Sequence, residues 1–190
     1  MDRNNHAVLC DVETSALGIV DIQTHLTAVM PAKVLARLQR NAGLLVKAAT
    51  TLRVPVFASE QYPQGLGNLE PDIAKLLPDT AKRYEKTCFS VTGAEGFLEE
   101  IASSGRKQII LAGIEAHICV LQTAFLLLQE GYTVFVVADA VCSRHRESYE
   151  TALERLRLAG AVITDAESVI FEWMRDSRHP HFKELQGLIR

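Results

Sequence analysis

Short apolar runs alternate with amphipathic stretches along the whole chain. Residues 17–20 form a short apolar run that stops at Asp21 and predicts a first strand. Residues 31–52 carry Val34, Leu35, Leu38, Leu44, Leu45 and Ala48 at helical spacing, and residues 54–58 predict a second strand. A short helix over 96–103 follows, then a buried strand over 108–112 and a buried helix beginning near Cys119 and running to 128. The run 132–138 is apolar at every position but Thr133, as expected of a strand covered on both faces. A helix over 147–159 with Gly160 as its C-cap, a last strand over 161–164 and two short helices complete the reading.

This alternation predicts right-handed βαβ crossovers and a parallel sheet. The fold class is α/β: a three-layer, doubly wound, Rossmann-like, six-stranded and mostly parallel sheet with helices on both faces. Order 3-2-1-4-5-6 requires one more short strand near 82–87 and makes the first and fourth strands neighbours at the switch point. No linker or repeat interrupts residues 1–190, which read as one domain. The longest irregular piece, 59–69, contains Gly65 and Gly67 and follows a strand, a common place for a functional loop.

Composition narrows the classes. Hydrophobic content of 48% and charged content of 23% suit a globular enzyme. A net charge of −3, from 20 basic and 23 acidic residues, leaves no basic footprint for nucleic acid. The one dense basic patch, Arg144-His145-Arg146, is too short to argue from, and no arginine-rich pocket is evident. No apolar run approaches the roughly 20 residues of a membrane span. The opening Met1 to His6 lacks a signal-peptide layout, and Cys10, Cys88, Cys119 and Cys142 are widely spaced. Free thiols in a reducing compartment, and so a cytoplasmic location, are expected.

The most informative stretch is Gly113-Ile114-Glu115-Ala116-His117-Ile118-Cys119-Val120. It places Cys119 just past the carboxyl end of a strand, at the start of a helix, where the helix dipole favours a thiolate. Asp21 ends the neighbouring strand and is placed to take a thiol proton, with Asp139 as its competitor. Asp139 reads more simply as a loop anchor or helix cap before Ser143. A cation beside both anions is to be chosen among Lys75, Lys82, Arg83 and Lys86, and the spacing does not choose. His117, two residues from Cys119, points elsewhere on a helix. His179 and His181 lack a third metal ligand. Cys88 reads as a packed thiol beside Phe89. Phe171, Trp173 and Met174 read as core or interface packing.

Three motifs in order, Val20-Asp21-Ile22-Gln23, Glu85-Lys86-Thr87-Cys88-Phe89-Ser90 and the Cys119 octet, resemble the isochorismatase-like cysteine hydrolases. The stretches from Ser59 to Gly67 and from His179 to Leu185 resemble the isochorismatase domain-containing subgroup. The resemblance implies a triad of Asp21 as base, Lys86 as cation and Cys119 as nucleophile, with the backbone amides of Glu115 and Cys119 as an oxyanion hole. It also implies a cis peptide at Ile114–Glu115 and a homo-oligomer, for which Ile170, Phe171, Trp173 and Met174 would suit burial between subunits. Gln23, Gln61, Tyr62 and Phe89 are assigned to the substrate pocket. The D-x-H metal pattern of nicotinamidases is missing from residues 58–63, so no metal and no cofactor are expected.

The expected activity is hydrolysis of a small-molecule amide, or a related C–N or ester bond, through a thioester. Neither nucleic acid nor membrane is an expected partner. The alternative is a non-catalytic scaffold that keeps the fold.

Overall fold

The computed structural model describes residues 8–189. The stretch read for targeting signals, Met1 to His6, lies outside them. Six strands form one sheet: β1 (Ser15–Val20), β2 (Val56–Gln61), β3 (Lys82–Lys86), β4 (Gln108–Ile114), β5 (Thr133–Cys142) and β6 (Val162–Thr164). Their order is β3-β2-β1-β4-β5-β6, and every pairing is parallel. The expected doubly wound sheet is present, with β3 as the short strand its order required.

Burial explains the strands. Every residue of β1, β2 and β4 is buried, which is why these runs lack alternation. The edge strand β3 instead carries Lys82, Arg83 and Glu85 on exposed positions, and such charges keep an open edge from pairing with another chain.

Two apolar layers flank the sheet. One is built on the long helix Ala32–Thr51 and on Ala166–Met174, with Leu38, Leu45, Ile110, Phe135 and Trp173 at its centre. The other lies under Phe97–Ser103, Leu121–Gln129 and Arg146–Leu158, with Phe57, Phe97 and Val136 inside. Phe97 meets Phe57 and Tyr84 edge-on, with ring centroids 5.0 and 5.2 Å apart.

Several elements differ from expectation. Strand β5 runs on to Cys142, with a register irregularity against β4 between Leu111 and Gly113. Asp139 is therefore inside a strand, and its carboxylate accepts from the Ala166 amide at 2.9 Å. It anchors the start of Ala166–Met174, and burial raises its carboxyl above the usual range. The C-terminal apolar residues are also reassigned. Ile170, Trp173 and Met174 are buried in the chain's own core, and Trp173 Nε1 donates to Ser15 Oγ at 3.0 Å. Only Phe171 of that group reaches the surface.

The segment 59–69 is structured rather than loose. Its first residues finish β2, and Pro63–Leu66 adds a helical turn. Buried Gln23 ties it down, donating to Gln61 O at 3.0 Å and Gly67 O at 2.6 Å while accepting from the Gln61 amide at 2.7 Å. Glu60 accepts from Leu69 N at 2.6 Å. Gly67 has φ 76, and a Cβ there would lie 2.2 Å from Thr24 Oγ1. Among the described residues, no helix is long and apolar enough to cross a membrane.

Candidate active site

The carboxyl ends of β1, β3 and β4 bring the three motifs to one crevice. Asp21 follows β1 with φ 49, a left-handed conformation that Asp tolerates better than most residues. That turn takes the chain sharply out of the strand direction at the sheet edge. Gly113 of β4 makes the close approach possible, since a Cβ at its φ of 138 would lie 2.0 Å from Val20 O.

Lys86, the last residue of β3, supplies the cation. Its Nζ donates to Asp21 Oδ2 at 2.7 Å, Gln61 Oε1 at 2.8 Å and Phe89 O at 2.9 Å. Three donors meet three acceptors, so the ammonium is fully satisfied. The other Asp21 oxygen accepts from Ser59 Oγ at 2.7 Å. Both side chains of the ion pair are completely buried. The remaining candidate cations are elsewhere: Lys75 pairs with Asp72 on the surface, Lys82 with Glu100, and Arg83 is exposed.

Cys119 faces this pair from a π-helical turn, Ala116–Val120, and the α-helix proper begins only at Leu121. Cys119 is 5% exposed. Burial pushes its thiol well above the usual range, and Asp21 adds to this by its charge and by hydrogen bonding, while Lys86 acts in the opposite sense. Burial thus works against the thiolate that a helix dipole would favour at this position.

The peptide Ile114–Glu115 is cis. The Glu115 carboxylate is turned away from solvent and held by Arg144, through its backbone N at 2.9 Å and its Nε at 3.1 Å. His117 does not serve Cys119; its Nδ1 lies 2.9 Å from Ser143 Oγ.

The four residues assigned to the substrate pocket divide into two kinds. Gln23 is entirely buried and Gln61 is 8% exposed. Gln23 is spent on the backbone of segment 59–69, and Gln61 on Lys86 and on Thr87 O at 2.7 Å. The side-chain amides of both are engaged within the chain itself. Tyr62 and Phe89, 54% and 51% exposed, stand at its outer rim. A cleft of about 360 Å³ opens beside Tyr62, Lys86, Cys88 and Glu95 but is not lined by Asp21 or Cys119. Cys88 is exposed rather than packed, its Sγ 3.3 Å from Ser90 O. His179 and His181 lie side by side with centroids 5.8 Å apart, and His181 pairs with Glu184.

Residues 15–168 match the family model described as the isochorismatase domain. The chain belongs to the isochorismatase family. It is 40% identical over 148 residues to isochorismatase domain-containing protein 2 of Xenopus laevis, covering 78% of this chain and 71% of that protein. Among solved structures, one described as the MAR1 ribonuclease of Caenorhabditis elegans superimposes with a TM-score of 0.89 at 35% identity, covering 96% of this chain and 92% of the other. The YcaC gene product of Escherichia coli, described as an octameric hydrolase of unknown specificity, gives a TM-score of 0.84 at 25% identity, covering 96% and 95%. As a family member with this fold, the chain is an isochorismatase-family hydrolase.

The signal that sequence reading lacked was pairing between distant residues. Ser59 is joined to Asp21, and Gln61 to Lys86, only in three dimensions. The same holds for basic residues. Arg37, Arg144 and Arg146 line one cleft of about 350 Å³, so an arginine-lined cavity exists where the sequence showed none.

Proposed function

We propose that the chain is a cysteine-dependent hydrolase of a small amide, or of a related C–N or ester bond, acting through a thioester on Cys119. The observation that carries this reading is the buried Asp21–Lys86 pair facing the Cys119 thiol. Asp21 takes the thiol proton as Sγ attacks the substrate carbonyl carbon, so a thiolate exists only as the new bond forms. The carbonyl π electrons move to oxygen, and the backbone amides of Glu115 and Cys119 donate hydrogen bonds to the oxyanion. Collapse of the tetrahedral intermediate expels the amine, which leaves with the proton from Asp21. Asp21 then activates a water that attacks the thioester; the acid is released and Cys119 recovers its proton. Lys86 holds Asp21 in place through its 2.7 Å contact. Tyr62 and Phe89 form the rim over which the substrate enters. No step calls for a metal or cofactor.

This scheme is tested by a panel of small amides and esters, read by ammonia release or acid formation, with the Cys119→Ala variant run beside the parent. Turnover by the parent and none by the variant supports it. Equal turnover by both removes Cys119 from the chemistry.

One observation favours a second reading, the ribonuclease description of the C. elegans structure. The formal charge of −3 opposes a polyanionic substrate, whereas the arginine-lined cleft does not. Cleavage of a labelled single-stranded RNA by the parent but not by Cys119→Ala would favour it over the amidase.

We also propose a homo-oligomer, by analogy with the octameric relative. Exposed Leu9, Val29, Leu126, Leu158 and Phe171 are among the apolar residues available for it. Light scattering that returns only the 21.0 kDa mass of one chain at micromolar concentration would reject the assembly.

A further inference from the structure

The cleft of about 350 Å³ between the first turns of Ala32–Thr51 and of Arg146–Leu158 is separate from the candidate active site. Neither Asp21, Lys86 nor Cys119 lines it. It still lies at the carboxyl edge of the sheet, since Cys142 and Ser143 at the end of β5 form part of its wall. Three arginines line it, Arg37 from the first helix, Arg146 from the second and Arg144 from the loop that joins β5 to the second. The nearby carboxylates offset two of them. Arg144 is held by Glu115, and Arg146 Nε pairs with Glu150 Oε1 at 2.7 Å. Arg37 has no carboxylate within 4.0 Å among the described residues, though half-buried Asp139 lies within its field. Lys33 and Arg40 extend the positive charge along the same helix face, where a shallower cleft adjoins.

The other groups in the wall are already committed or apolar. Ser143 Oγ is engaged with His117, and Tyr149 donates to Ala138 O at 2.8 Å. Pro31, Val34 and the Tyr149 ring supply apolar surface. The His145 N-cap makes no side-chain hydrogen bond to Arg146–Leu158, so the first amides of that helix are uncapped by a side chain. A ligand that fits must bring its own acceptors for planar, forked donors, and an apolar body for the wall.

We infer that this cleft binds a phosphate monoester of an apolar or aromatic body, with the phosphate on Arg37 and Arg146 and the body against Val34 and Tyr149. A dianionic phosphate suits clustered guanidinium groups better than a carboxylate because it brings more charge and more acceptors.

Calorimetric titration of the full chain with phenyl phosphate, inorganic phosphate and benzoate at low ionic strength tests this. Phenyl phosphate should bind saturably, more tightly than either of the others, and equally well to Cys119→Ala. Arg37→Gln/Arg146→Gln should weaken it about tenfold or more, the loss expected for charge-assisted hydrogen bonds. Arg37→Lys, which keeps the charge and loses the fork, should fall between and guards against a double variant that does not fold. Four results would overturn the inference: no saturable binding to the parent, unchanged affinity in the double variant, tighter binding of benzoate, or loss of binding in Cys119→Ala, which would move the ligand to the reactive crevice.

Discussion

The two charged regions at the carboxyl edge of this sheet are built on opposite plans. In the crevice, Asp21 and Lys86 are completely buried and each bonding position is filled from within the chain, by Ser59, Gln61 and Phe89 O. In the cleft beside it, Arg37, Arg144 and Arg146 are exposed, and Arg37 has no carboxylate partner among the described residues. A buried charge has no water to fall back on, so its partners must come from the protein. An exposed guanidinium keeps its solvent and stays available to a ligand. The first region is suited to holding a reacting group in one geometry, the second to exchanging water for an anion.

The strongest way to break this comparison is to remove one member of the buried pair. Lys86→Met leaves Asp21 uncompensated, and such a change costs about 3–5 kcal/mol. Denaturant unfolding should show that loss, and Asp21→Asn/Lys86→Met should recover much of it, because both charges are then gone. A Lys86→Met chain as stable as the parent would show that the pair is not a buried charge pair. The same substitution at exposed Arg37 should change stability by no more than about 0.5 kcal/mol.

A pH series sharpens the contrast from another side. Burial raises the thiols of Cys10, Cys119 and Cys142, the last to about 12. A group whose folded pKa lies above its unfolded value contributes stability that is complete below the unfolded pKa and fades as pH rises through the folded one. Unfolding free energy should therefore hold steady up to about pH 8.5, the thiol's ordinary value, and fall progressively above it. Cys142→Ala should make that alkaline fall shallower. A flat profile to pH 11 would contradict the burial of these thiols.

Alkylation gives a smaller but direct reading. The exposed Cys88 should react with iodoacetamide faster than Cys119 near neutral pH, since Cys119 is buried and burial raises its thiol. Peptide mapping that finds Cys119 labelled first would restore the lowered-pKa expectation. At the rim, Tyr62→Ala and Phe89→Ala should leave stability within about 0.5 kcal/mol and raise KM with little change in kcat.

What was legible in the sequence divides along the same line. The centre of the sheet could be read because β1 and β4 are apolar runs buried along their length, and the parallel crossovers follow from βαβ handedness. Asp21 and Cys119 could be placed because each closes or follows a strand. Lys86 could not be chosen by pattern, since Lys82 and Arg83 sit on the same strand and only register separates the buried position from the exposed ones. The internal bonds of Gln23 and Gln61 could not be read, because a glutamine beside a reactive motif looks the same whether it faces a ligand or a backbone carbonyl. The arginine cleft was invisible for a different reason, as Arg37 and Arg144 are more than a hundred positions apart in the chain.

In the proposed mechanism the Cys119 thiol becomes a nucleophile by giving its proton to Asp21. Single-turnover acylation of the Asp21→Asn variant by an activated ester, followed by peptide mapping at Cys119, tests it most directly. Asparagine keeps the shape and removes the base, so acylation should fall by about 10²–10⁴-fold. Acylation of Asp21→Asn at the parent's rate would contradict the account and take Asp21 out of the mechanism.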